Sequence, residues 1–235
     1  MTAERRAWLS ATLVFAVLEF SLIAFADRPL SLWLRQVDAD HPAVIDAFRA
    51  YTDIGKGAWY AWPSGLGTLL CFALCYARQC PERIRASLIR LGRTLAFFFV
   101  CTAGAGLLTD AIKPLVGRAR PKLLASDGVF GLDPWSFKAD WHSMPSGHST
   151  TGFAVAFSLM VLFPRARWPL LAFAGMIGLS RIMVNAHFLS DVVAGAAVGW
   201  ITTYAVTRFF RHRGWLSRPH AMVSARDGDH PLNNR

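Results

Sequence analysis

Six apolar segments, at roughly residues 8–26, 58–77, 94–112, 146–163, 169–186 and 191–208, each approach the ~20 residues that a membrane-crossing helix requires. A chain so divided has few folds open to it. Hydrophobic residues make up 54% of the 235 and charged residues 17%, where an ordinary soluble domain carries about a quarter charged residues. The expected fold is all-α and polytopic, with six transmembrane helices in one bundle forming a single domain over residues 1–216. Gly104, Gly106, Gly195 and Gly199 fall inside spans, where small residues let helices approach closely.

The stretch from Asp27 to Tyr51 mixes apolar and charged residues and reads as short helices lying on the outer surface. From residue 217 to 235 the chain is polar and rich in turn formers, which predicts a disordered cytoplasmic tail. At the N-terminus, Arg5-Arg6, an apolar run and Ala24-Phe25-Ala26 have the order of a secretory signal. The run is long for a signal core and Glu19 interrupts it, so a retained first helix is expected.

Orientation follows from the cations. Fifteen of the 25 Lys and Arg residues lie in the N-terminus, the second-to-third link, the fourth-to-fifth link and the tail, against ten on the other side. The positive-inside rule then puts both termini in the cytoplasm of a multi-pass inner-membrane protein. Trp59, Trp62, Trp135, Trp141, Trp168 and Trp215 stand near span ends, where an amphipathic ring prefers to lie. The net charge of +10 is split between the spans and forms no single stripe, which argues against a nucleic-acid partner. Cys71, Cys75, Cys80 and Cys101 include no C-x-x-C pair, so neither a metal site nor a disulfide framework is indicated. Cys71 and Cys75, one helical turn apart, read as small packing residues.

Three short motifs carry the chemistry. Lys113, Arg118, Arg120 and Lys122 follow the third span with Pro114 and Pro121 among them; a guanidinium fork and an ammonium suit phosphate oxygens, although such a cluster could also rest on anionic headgroups. Pro145-Ser146-Gly147-His148 precedes a span. The Ser146 hydroxyl and the first amides would project from a helix N-terminus, an anion site by geometry and dipole, with Gly147 permitting close approach; a plain cap is the alternative for Ser146 and Ser149. Ser180-Arg181 ends the fifth span, and His187 and Asp191 stand four apart, one turn if helical. A carboxylate on one imidazole nitrogen fixes the tautomer and leaves the other as base or nucleophile. All three motifs fall on the outer side.

In this order and spacing, K-x6-R-P, P-S-G-H and S-R-x5-H-x3-D resemble the three-part signature of the type 2 phosphatidic acid phosphatase family, whose wider superfamily includes vanadium haloperoxidases. Every signature position is matched: Lys113, Arg120, Pro121, Pro145, Ser146, Gly147, His148, Ser180, Arg181, His187 and Asp191. The resemblance implies a metal-independent membrane phosphatase without cofactor, acting on a lipid phosphate or lipid pyrophosphate. It implies His187 as nucleophile oriented by Asp191, and His148 as general acid and then base. Lys113, Arg120, Ser146, Gly147 and Arg181 would bind the phosphoryl oxygens. A lipid phosphotransferase using the same phosphohistidine, and a non-catalytic protein binding anionic lipid, are the alternatives. Undecaprenyl pyrophosphate, phosphatidylglycerophosphate, phosphatidate and lipid A phosphate are all candidate substrates. Outside the motifs, Glu19 is costly in hydrocarbon and has no partner that the sequence can name. Asp110 is placed to pair with Lys113, Asp53 and Lys56 read as caps of the second span, with a place at the border of the site entrance as the alternative, and Asn185 as a support behind the site.

Overall fold

The computed structural model describes residues 2–76 and 80–216, and among these every regular element is helical. The first apolar segment forms α1 (Ala3–Ser21), which runs through one π turn (Leu22–Ala26) into α2 (Asp27–Asp40) without a break. The helix stops at His41 because the next residue is Pro42, which disfavours helical backbone before it; Pro42 then opens α3 (Pro42–Thr52). The bundle continues with α4 (Ala58–Cys75), α5 (Glu82–Val116), α6 (Pro121–Asp127), α7 (Gly147–Leu162), α8 (Arg167–Met183) and α9 (Leu189–His212).

Two boundaries differ from the sequence expectation. The 27–51 stretch is not a separate pair of surface helices, since its first half, α2, prolongs the first span. The helix that carries the third segment is far longer than 94–112, and Arg83, Arg85, Arg90 and Arg93 lie on α5 itself, not in a loop. Hydropathy falls where charge begins, but arginine is a good helix former and the helix carries on through it. At its far end α5 stops at Gly117, whose φ of 56° is a left-handed cap with its amide bonded to the Lys113 carbonyl. Three helical stretches are long and apolar enough to cross a membrane: Arg5–Asp40, Glu82–Val116 and Leu189–His212. α7 is apolar but has 16 residues, and α4 and α8 have 18 and 17. The tail from residue 217 lies outside the described residues.

α7 is the central helix, packed on α5, α8 and α9, while α4 lies along α5. Its buried face consists of small residues, Ser149, Thr150, Gly152, Ala154 and Ala156 among them. α9 answers with Gly195 and Gly199: a Cβ at 195 would stand 2.7 Å from the Ser146 carbonyl oxygen, and one at 199 2.9 Å from the Ala154 amide. These two glycines make the close contact expected of them. Gly104 and Gly106 do not, since a Cβ would meet only the Thr202 methyl at 3.6 Å at the first and nothing within 4 Å at the second. Cys71 and Cys75 are buried free thiols, and a Cβ at Gly92 of α5 would come 3.1 Å from that of Cys71.

α1 leaves Leu13, Val17 and Phe20 exposed along its length, a surface suited to hydrocarbon. The helix termini sort into two ends. At one, Trp8 meets Trp200 and Tyr204, and Phe97 meets Phe210. At the other, the loops carrying all three motifs come together.

Candidate active site

The Gly117 turn determines where the first motif goes. Beyond it residues 118–120 run extended, with the Ala119 amide on Gly131, the Arg120 amide on Asp140, and the Ser143 amide on the Arg118 carbonyl. Lys113, in the last turn of α5, pairs with Asp110 at 3.0 Å as its spacing suggested, and its ammonium lies beside Gly147: a Cβ there would be 3.4 Å from Nζ. Arg120 caps α6. Its Nε and Nη2 donate to the Ala139 and His142 carbonyls at 3.0 and 3.3 Å, which fixes the fork and leaves Nη1 for a ligand. Burial lowers its pKa, against the opposing pull of Asp191 and Asp140.

At the start of α7 the sequence reading needs one change. Ser146 is fully buried, its amide donates to the Asp191 carbonyl at 2.9 Å, and its hydroxyl accepts from Ser149 at 2.9 Å. Its amide is therefore not available to an anion. The amides of Gly147 and His148 remain in the first turn, where a helix has no internal acceptors. The His148 ring makes no hydrogen bond among the described residues. The residue stands against the turn at Asp53–Gly55, where a Cβ on Gly55 would come 3.0 Å from its ring, and it senses the charges of Arg181, His187, Asp53 and Lys56.

Asp53 and Lys56 do not cap α4, whose N-cap is Gly57. They form a 2.8 Å ion pair at the site's edge, and Lys56 holds the Asp53 carboxyl below its usual range. Arg181 extends Nη1 to the Thr52 hydroxyl at 2.7 Å, and its Nε is buried with no partner among the described residues.

His187 is buried in the loop between α8 and α9. Its Nδ1 lies 2.7 Å from the Ser143 carbonyl oxygen and 3.7 Å from Asp191 Oδ2. A carbonyl only accepts, so Nδ1 carries the hydrogen and Nε2 of the neutral ring has the free lone pair. The ring is thus oriented by main chain, with Asp191 acting at one remove: Oδ2 accepts from Ser143 Oγ at 2.5 Å and from the Phe188 amide at 2.8 Å. Burial pushes the His187 pKa down, Asp191 pulls it up, and Arg120 and Arg181 add to the lowering.

Sequence reasoning passed over a charged network behind His187. Arg118 is 3% exposed and spans two buried carboxylates, reaching Asp191 Oδ1 at 2.6 Å and Asp27 Oδ2 at 2.7 Å, with its guanidinium carbon 4.7 Å from the centre of the Phe188 ring. Arg118 had been visible only as part of a basic cluster. Asp27 had one signal, a carboxylate directly after an apolar run. Glu19 lies toward the same group and feels Asp191, Asp27 and Arg118, but both its oxygens are buried without hydrogen bonds among the described residues. Asn185 exchanges bonds with Ser31, as a supporting residue would.

The chain has relatives among known proteins. The chain is 38% identical to the lipid A 1-phosphatase of Rhizobium etli over 199 residues, which cover 81% of this chain and 76% of the relative. It is 29% identical to the undecaprenyl-diphosphatase BcrC of Bacillus subtilis over 150 residues, 62% of this chain and 76% of that one. The crystal structure of a transmembrane PAP2 type phosphatidylglycerolphosphate phosphatase from Bacillus subtilis superposes with a TM-score of 0.57, covering 87% of this chain and 96% of that one; at 20% identity the likeness is one of fold. A family profile described as the PAP2 superfamily matches residues 94–215, more than half of the chain and all three motifs, and the chain belongs to that superfamily.

Proposed function

We propose that this protein is a membrane lipid phosphatase that hydrolyses a phosphomonoester or pyrophosphate at the outer face of the cytoplasmic membrane, through a phosphohistidine on His187. The observation that carries the reading is the buried Nε of Arg181, without a partner among the described residues and within electrostatic reach of Arg120 and both imidazoles. A buried donor without a partner costs about 1–3 kcal/mol. A phosphoryl oxygen would satisfy it.

The chemistry follows from the hydrogen positions. Nε2 of His187 attacks phosphorus as the P–O bond to the lipid breaks, and the departing oxygen takes a proton from His148. His148 then removes a proton from water, the water oxygen attacks phosphorus, the N–P bond breaks, and inorganic phosphate leaves. Lys113, Arg120, Arg181 and the Gly147 amide neutralise the equatorial oxygens as charge redistributes. These cations do the electrostatic work that a metal does elsewhere. Ser143 and Asp191 stabilise the ring while it carries charge.

Six helices in one domain over residues 1–216 fit this chemistry, with α4, α7 and α8 completing the spans and both termini in the cytoplasm. The substrate class best supported is a glycolipid phosphate such as the 1-phosphate of lipid A, on the strength of the 38% identical relative of that activity. A prenyl pyrophosphate is the second reading, favoured by the resemblance to an undecaprenyl-diphosphatase.

Phosphate release by the purified full chain from lipid A, undecaprenyl pyrophosphate, phosphatidate and phosphatidylglycerophosphate tests activity and substrate together. His187→Ala should abolish release, and His148→Ala should slow it by about 10²–10⁴-fold. Equal rates for wild type and both variants would favour a protein that only binds lipid. Transfer of phosphate to a second lipid without release of inorganic phosphate would favour a phosphotransferase.

A further inference from the structure

We infer that α2 is a brace for the loop that carries His187, and that Asp27 and Arg118 are positioning residues for the phosphoryl transfer proposed above, on which this inference rests. Before the π turn the first helix meets the bundle only lightly, and Phe20 and Phe25 point away from it. A π turn widens the helix and shifts its register, and such turns recur at functional sites. Directly after this one Asp27 is 1% exposed and faces inward.

What Asp27 meets there is the N-terminus of α9. Its Oδ1 accepts the Ser190 amide at 3.1 Å, and Oδ2 accepts the Ser190 hydroxyl at 2.6 Å and Arg118 Nη2 at 2.7 Å. Arg118 Nη1 donates to the Ser190 oxygen at 2.5 Å and to Asp191 Oδ1 at 2.6 Å. The donors and acceptors balance, because the single hydrogen of Ser190 goes to Asp27 while its oxygen receives from Arg118. One helical turn farther on, Ser31 Oγ donates to Asn185 Oδ1 at 2.8 Å and Asn185 Nδ2 returns a bond to the Ser31 carbonyl at 3.1 Å. Asn185 has φ 49°, a conformation that its side-chain bonds help to hold.

The loop is therefore gripped two residues before His187 and three residues after it. Neither grip touches Lys113, Arg120 or Arg181. A purely structural ion pair would affect how much folded protein is obtained. A brace affects the rate at which a correctly folded molecule turns over, because a small displacement of the attacking atom is costly while phosphate binding is left alone.

The test is steady-state kinetics of the purified full chain on lipid A in mixed micelles, per mole of monodisperse enzyme, for Asp27→Asn, Arg118→Gln, the double variant and Asn185→Gly. Asp27→Asn keeps shape and acceptor but removes the charge; Asn185→Gly deletes the side chain at a backbone position that glycine tolerates. The expected result for Asp27→Asn is a fall in kcat of about 10- to 100-fold with KM within about twofold. The double variant should lose no more than the worse single one, since the two act as a unit. Asn185→Gly serves if Asp27→Asn yields no folded protein, and should lower kcat severalfold at constant KM. Wild-type kcat in either folded variant, or a rise in KM alone, overturns the brace. Losses in the single variants that multiply in the double one overturn the coupling. A wild type that releases no phosphate from any of the four lipids would instead sink the phosphatase reading.

Discussion

His187 illustrates how one ring can be tuned by opposing neighbours. Burial and the nearby guanidiniums make its imidazolium unfavourable, while Asp191 limits the effect, so the folded pKa lies below the ordinary 6.5. In the proposed mechanism the nucleophile is the neutral ring and protonation of Nε2 stops attack, so activity should be present above the lowered pKa and lost as pH falls through it. The acid limb of kcat/KM should therefore have its midpoint below 6.5 on a substrate whose leaving group needs no general acid. A midpoint above 6.5 would contradict the role. Arg181 offers a second check. Replacing it with Lys keeps the charge but loses the fork whose Nε lacks a partner, and kcat should fall by about 10²–10³-fold, the cost of one lost oxyanion donor. The motif residues stood out in the sequence as candidates because each brings a chemistry that packing does not need. Asp27, Ser143 and Thr52 did not, since an isolated carboxylate or hydroxyl gains its role only when a distant segment arrives beside it. The main-chain carbonyl that orients His187 has no side-chain signature at all.

Among elements, the contact between α7 and α9 sets how far the anion-binding turn stands from His187. Gly195→Ala would drive a methyl into the Ser146 carbonyl, with Ser149 Cβ only 3.1 Å away. Overpacking of this kind costs about 1–3 kcal/mol, and it would displace the Gly147 turn as well. A lower melting temperature together with reduced activity is expected, whereas Gly106→Ala, inside α5 with open space around it, should leave activity unchanged and the melting temperature no lower. Thermal unfolding in detergent, followed alongside phosphate release, compares the two. Small residues in the sequence announced close packing, but four glycines looked alike and only two face another backbone, because facing depends on helix rotation. Helix ends differ from segment ends for a related reason: hydropathy marks where hydrocarbon could end, and α5 continues as a helix through its arginines.

The molecule as a whole separates its charges by end. Arg83, Arg85, Arg90 and Arg93 begin α5, Arg165 and Arg167 join α7 to α8, and the motif loops lie at the opposite pole. If the motif end is extracytoplasmic, a single cysteine at exposed Leu132, in a background lacking the four native thiols, should react with a membrane-impermeant maleimide in intact cells. A cysteine at Arg165 should react only after permeabilisation; the reverse pattern would invert the topology. The all-helical frame was legible because helix formation depends on local composition and order. The junction of four distant stretches at Asp27, Arg118, Ser143 and Ser190-Asp191 was not. That junction limits modularity. A fragment trimmed to the 94–215 core shared across the superfamily would keep every signature residue yet strand a guanidinium before one carboxylate where it now has two. On the inference drawn above, the segment before residue 94 is no detachable anchor, and grafts or truncations that treat it as one should inherit a displaced His187 loop.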